Sequence, residues 1–178
     1  MFSRRTVALA ILSALLLTGC SVISEILPDA AITNVLSGRE GINGPVLVVK
    51  IDDTTQAHPQ VGLEVADIVY IEQVEGGLTR LAAVFSSVIP QRIGPVRSAR
   101  ISDIEILSQF GRVAFAYSGA QTKLLAVIAA ANLQDLGAQR QSPTIFTTDR
   151  NRTPPYAMVL RADLLMQRVT EKNYAIDS

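Results

Sequence analysis

The sequence predicts one domain of mixed α/β or α+β class, with a mixed sheet, a β-hairpin and about three helices. Three observations carry this: β-branched runs flank a pair of glycines, apolar residues fall at helical spacing from Ile101 onward, and strand-like and helix-like stretches intermingle to the end of the chain. The chain has 178 residues. Once an export leader and a tether are set aside, about 130 remain, enough for one core that buries roughly two thirds of its surface without staples.

Residues 1–19 read as a lipoprotein signal peptide. Arg4 and Arg5 give a positive start, and residues 6–18 (TVALAILSALLLT) are uncharged and mostly apolar. That stretch falls short of the ~20 apolar residues a membrane-spanning helix needs, and it fits the apolar core of a leader. It ends in Leu17-Thr18-Gly19-Cys20, the order of a lipobox, so Cys20 is the expected lipidation site. One acyl chain binds only marginally, whereas two make attachment stable. The expected location is the cell membrane, lipid-anchored on its extracytoplasmic face. Ser3-Arg4-Arg5-Thr6 also resembles a twin-arginine export signal, without the usual following Phe-Leu.

Residues 20–44, with Pro28, Gly38, Gly41 and Gly44, read as a lipidated tether, or else as an added edge strand or short helix. The folded domain is expected over 45–178. Residues 45–51 (PVLVVKI) read as a buried strand, followed by turn formers Asp52, Asp53 and Thr54. Residues 67–75 and 79–88 read as two further strands, joined through Gly76 and Gly77 in a primed hairpin turn. A two-residue loop pairs Glu75 with Leu78, Gln73 with Arg80, and Glu72 with Leu81. It places Glu75, Gln73 and Arg80 on one face, and Glu72 among Tyr70, Val74, Leu81 and Ala83 on the other. Another loop length would flip one strand's faces.

Beyond Pro90 and Pro95 the spacing of Ile101, Ile104, Leu107 and Phe110 predicts a helix, with Ser102 and Glu105 as its capping box and Gly111 as its end. Residues 113–117 (VAFAY) read as a fourth strand. Ser118 with Gln121 could cap a second helix running to about Ala131, apolar nearly all round and therefore buried. Residues 145–147 and 157–160 are weaker strand candidates, and 163–172 a last helix.

Composition narrows the function. Sixteen basic and sixteen acidic residues balance, and without Arg4 and Arg5 the remainder is slightly acidic, which argues against nonspecific nucleic-acid binding. Cys20 is the only cysteine, so the chain has no internal disulfide and no Cys-rich metal site, and the single His58 rules out a multi-His site. No cofactor is implied. Thirteen of the basic residues are Arg and three are Lys. Arg suits planar recognition of carboxylate or phosphate, although genome coding bias gives the same skew.

The stretches VKIDDTTQAHPQVGLEVADIVYIEQVEGGLTRLAAVFSS, IGPVRSAR and AYSG resemble the YerB-like lipoprotein family, whose domain is of unknown function and numbered 3048. The likeness covers about 45–160. It implies a bacterial envelope lipoprotein and no known reaction. Members usually carry Asn where Asp53 stands, and Pro-His-Asn where this chain has Pro155-Tyr156-Ala157, so a role resting on that His or Asn does not transfer. Members also tend to continue into a second conserved segment, so the resemblance implies a domain truncated or split at its C-terminal end.

The strongest constellation is Arg80, Arg97 and Arg100 with Glu72 and Glu75. Arg97 and Arg100 lie near the expected start of a helix, where free N–H groups favour an anion. They are candidate ligand-binding residues for an anionic envelope ligand; the alternative is that Glu and Arg pair with one another and lock hairpin to helix. Glu72 in an apolar setting could act as a general acid with Glu75 or Asp103, the minimum for glycoside hydrolysis. Ser98 and Ser118 lie outside a nucleophile elbow, and His58 has no visible link to them. Asp52 and Asp53 offer too few oxygens for a hard cation.

Three functions follow: a noncatalytic module binding an anionic ligand or a protein partner, a glycan-acting hydrolase using Glu72, and a scaffold. A concave surface with at least two arginines unpaired separates the first two from the third.

Overall fold

The structure, a computed structural model, describes residues 31–178. The leader, the lipobox and Cys20 lie outside the described residues. The fold is mixed α+β, with two sheets and three helices.

Strands β1 (Leu47–Asp52), β2 (Ile68–Gln73), β3 (Thr79–Phe85), β5 (Val113–Ala116) and β6 (Leu133–Asp135) form one sheet in the order β2-β3-β1-β5-β6. A second sheet, β4-β8-β7, is built from β4 (Arg92–Ile93), β7 (Phe146–Thr148) and β8 (Met158–Arg161). The helices are α1 (Ile101–Ser108), α2 (Thr122–Ala130) and α3 (Ala162–Glu171). β1 is central, antiparallel to β3 and parallel to β5, and every one of its residues is buried. That is why its sequence is apolar on both faces rather than alternating. Leu47, Val49 and Ile51 pack with Leu160 of β8 and with Leu165 and Val169 of α3. Val48 packs on the opposite side with Phe115, Leu107 of α1, and Leu124 and Ile128 of α2. The main sheet is therefore covered on both faces.

The hairpin exists, but its register differs from the expected one. β2 pairs with β3 so that Glu72 faces Arg80 and Gln73 faces Thr79. The connection is not a two-residue turn: Val74 N–H donates to the Leu78 carbonyl at 2.8 Å, and residues 75–77 form a short 3-10 turn between them. Gly76 and Gly77 both adopt positive φ, 71° and 72°, as glycine allows, inside this wider loop. The longer loop shifts every pair by one residue and turns Glu72 onto the face of Arg80, Ala82 and Val84.

Two helix expectations also change. The N-cap of α1 is Arg100, whose backbone N–H is accepted by Asp103 at 2.6 Å, while the Ser102 hydroxyl bonds Glu72 instead of capping with Glu105. α2 is buried through Leu124 and Ile128 only, and Val127 is exposed, so it is half-covered rather than enclosed. Strands β4 and β6 had no sequence counterpart. Both are two or three residues long and exist by pairing with β8 and β5.

In the stretch read as tether, the described part is docked. Thr33 bridges to Glu40, and buried Asn34 donates to Ser86 Oγ at 3.2 Å and to the Ile42 carbonyl at 3.3 Å. Arg39 donates to the carbonyls of Val65 and Ala66 at 2.8 and 3.0 Å. Among the described residues, no helix is long and apolar enough to cross a membrane.

Candidate functional site

The face of the main sheet that carries α1 and α2 holds two ionic clusters, built from the ends of β1, β2 and β3 and from the extended segment that leads into α1. The first is centred on Lys50. Its ammonium donates to Glu72 of β2 and to Asp103 Oδ1 of α1, the latter at 2.8 Å. Their side chains are 0%, 7% and 0% exposed, respectively. One cation thus meets two carboxylates with almost no water between them. Ser102 adds a hydroxyl bond to the free oxygen of Glu72. Burial pushes the Asp103 carboxyl up to about 6, and the Glu72 charge adds to that rise while Lys50 opposes it.

The second cluster is centred on Asp52, which is fully buried at the end of β1. Arg97 donates to it through Nε, and Arg80 Nη1 lies 3.2 Å from its Oδ1. Thr54 N–H donates to Oδ1 at 2.9 Å. Burial acts to raise the Asp52 carboxyl, but the Thr54 N–H and the Arg97 guanidinium outweigh it and hold it below the ordinary carboxylate range. Arg80 reaches Asp52 because β1 and β3 pair these two residues directly. Segment 96–99 is threaded past the ends of β1 and β5, with Arg97 N–H on the Lys50 carbonyl and Ser118 N–H on the Arg97 carbonyl, both within 2.9 Å.

Arg100 uses two nitrogens, each at 2.9 Å, on one oxygen of exposed Glu75. All three arginines singled out in the sequence therefore have carboxylate partners, and the criterion of two unpaired arginines is not met among them. Glu72 and Glu75 do not act together: one is held by Lys50 and Ser102, the other by Arg100. His58 is exposed beside Asp53, with Nε2 at 3.4 Å from Oδ1, and no hydrogen bond joins it to Ser98 or Ser118 among the described residues. No group of three or more His, Cys, Asp or Glu side chains among the described residues could hold a metal ion.

Tyr156 lines two clefts. One, of about 520 Å³, is lined by Asp53, Thr54, Gln56, Thr79 and Tyr156; the other, of about 500 Å³, by Gln56, His58, Asp149, Arg152 and Tyr156. Asp53 and Tyr156 thus share a cleft. Arg97 Cζ stands 5.1 Å from the centroid of the Tyr156 ring, a cation–π contact. Asp53 is fixed in the wall by the Thr79 hydroxyl at 2.6 Å.

A family profile described as "Protein of unknown function (DUF3048) N-terminal domain" matches residues 32–175. The chain belongs to this family. A curated Bacillus subtilis (strain 168) protein, "Putative lipoprotein YerB", is 50% identical over 56 residues, which are 32% of this chain and 17% of that protein. The crystal structure of YerB protein from Bacillus subtilis superposes with a TM-score of 0.72 at 25% identity. That match covers 83% of this chain and 52% of the solved one, so the chain spans about half the length of its solved relative.

The centre of the site escaped the sequence reading. In sequence Lys50 sits within an apolar run, yet a lysine inside a strand buried on both faces must find carboxylates, and that requirement is the available signal. Replacing Lys50 with Met strands two buried carboxylates and is expected to cost about 3–5 kcal/mol in urea unfolding, with Asp103→Asn added to it restoring part of the loss. Asp103 also sets a pH dependence. Its folded pKa of about 6 lies above its unfolded value of 3.8, so its contribution is full below 3.8 and is lost as pH rises through 6. Urea midpoints are expected to be higher at pH 5 than at pH 7.5, and this difference to shrink in Asp103→Asn.

Proposed function

We propose that this chain is a lipid-anchored, noncatalytic binding domain of the bacterial envelope, holding a small anionic ligand against Arg97 and Tyr156. Support for the anchor comes from the Leu17-Thr18-Gly19-Cys20 motif after a short apolar leader, and from the relative whose name describes a lipoprotein. Diacylated Cys20 would keep the domain at the outer face of the membrane.

The observation that carries the binding reading is the way Arg97 is held. Asp52 engages its Nε and is shared with Arg80, so two guanidiniums meet one carboxylate. The two terminal amino nitrogens of Arg97 have no protein acceptor among the described residues, and the group rests on Tyr156, which lines two clefts of small-ligand size. A guanidinium fixed through Nε and open at its fork is suited to a carboxylate or phosphate oxygen pair. Arg80 and Arg100 serve the frame: one neutralises Asp52, and the other ties the hairpin loop to the start of α1 through Glu75. A hydrolase built on Glu72 has less support, because a general acid must reach a substrate and this carboxyl is enclosed by Lys50 and Ser102.

Retention on purified envelope fractions tests the ligand reading. Tyr156→Ala should keep its melting temperature within about 3 °C, as partly exposed positions do, and lose most retention; Arg97→Ala should lose both. A Tyr156→Ala protein retained like the wild type would overturn the proposal. For the anchor, radiolabelled palmitate should be incorporated by the wild type and not by Cys20→Ser, which should leave the membrane fraction; identical fractionation of the two would refute it.

A further inference from the structure

At the free edge of the main sheet, a third cleft of about 380 Å³ opens between β6, α2 and α3. It shares no lining residue with the Tyr156 clefts. Three arginines from separate parts of the chain line it: Arg112 just before β5, Arg140 in the 3-10 turn 138–140, and Arg168 in the last turn of α3. One carboxylate, Asp135, faces them. It accepts from Arg140 Nε at 2.7 Å through one oxygen, and from the Tyr117 hydroxyl at 2.8 Å through the other.

The other two guanidiniums have no such partner. Arg112 donates to the amide oxygen of Gln134 at 3.2 Å, which brings no charge. The Arg168 side chain makes no hydrogen bond or ion pair among the described residues, although it is only partly exposed. Two further carboxylates stand near without lining the cleft. Asp177 accepts the backbone N–H of Arg112 rather than its guanidinium, and Glu171, one turn beyond Arg168, makes no ion pair with it. Three positive charges against one negative leave two in excess within one concavity.

We propose that this cleft is a phosphate-binding site, taking the dianionic phosphate of a small phosphomonoester. The charge count selects the class: a phosphomonoester carries close to two negative charges at neutral pH and matches the excess, whereas a single carboxylate leaves one guanidinium unneutralised. Its three equivalent oxygens also suit guanidinium forks arriving from three directions. The same phosphate chemistry is presented by soluble esters and by lipid headgroups, and the experiment separates the two.

The full chain, in nonionic detergent, is titrated calorimetrically with glycerol 3-phosphate and with inorganic phosphate. It is also mixed with phosphatidylcholine vesicles with and without phosphatidic acid, a lipid phosphomonoester. Arg168→Gln is the decisive variant, because its side chain holds nothing in the fold. Lys123→Gln, which removes the same charge near the start of α2 outside this cleft, is the control. Arg168→Gln is expected to weaken binding about tenfold or more, the worth of one charge-assisted contact, with Lys123→Gln close to wild type. Loss in the soluble arm assigns a free phosphoester, and loss in the phosphatidic acid arm alone assigns a headgroup; both support the site. Absence of binding in every arm overturns the proposal, as does equal weakening by Lys123→Gln, which would mark diffuse charge attraction. Tyr156→Ala leaves this binding intact if the two sites are separate, so failure here and failure at Tyr156 are read independently.

Discussion

A buried ammonium is the constraint around which this domain is organised. Lys50 sits in the central strand with no access to water, and an unpaired charge there would cost several kcal/mol. It is satisfied only because β2 delivers Glu72 and α1 delivers Asp103 to the same point. Three elements are thereby fixed to one another. The interaction also selects the hairpin register: a slip of one residue would carry Glu72 to the far face of the sheet and leave the ammonium with Asp103 alone. Ion pairs of this kind do little for net stability against an apolar alternative, and their value here lies in excluding other arrangements.

How much of this could be read from residues alone depends on the range of the interaction involved. The central strands and all three helices were legible, because β-branched runs and helical spacing of apolar residues are local patterns. The existence of the hairpin was legible too, since paired glycines between strands have few other uses. Its register was not, because both glycines take positive φ in a two-residue turn and in the wider loop found here alike. The cap of α1 was misplaced because Ser102 spends its hydroxyl on Glu72, thirty residues away in sequence. β4 and β6 are too short to show a pattern and are held by their partners.

The candidate site divides along the same line. Residue type and local density mark Arg80, Arg97 and Arg100 as a group, and the fold brings the first two onto one carboxylate and the third onto Glu75. What could not be seen was that β1 would place Asp52, read as a turn former, between two of them. Asp53 and Tyr156 are a hundred residues apart and meet in one cleft only through the fold. Arg112, Arg140 and Arg168 share no motif at all, and the strand edge of β6 gathers them. Membership in a family of unknown function supplies the architecture and leaves the chemistry to these local arrangements.

The docking of the segment from Thr33 to Gly44 against Ser86, Val65 and Ala66 bears on where the domain begins. The fold therefore reaches well ahead of Leu47, the first residue of β1, back to Thr33, and Asn34 and Arg39 hold that stretch in place. Trimming the chain back to the first strand would take away buried Asn34, the hydrogen-bond partner of Ser86. The boundary of the domain is thus set by burial and hydrogen bonding rather than by its first regular element.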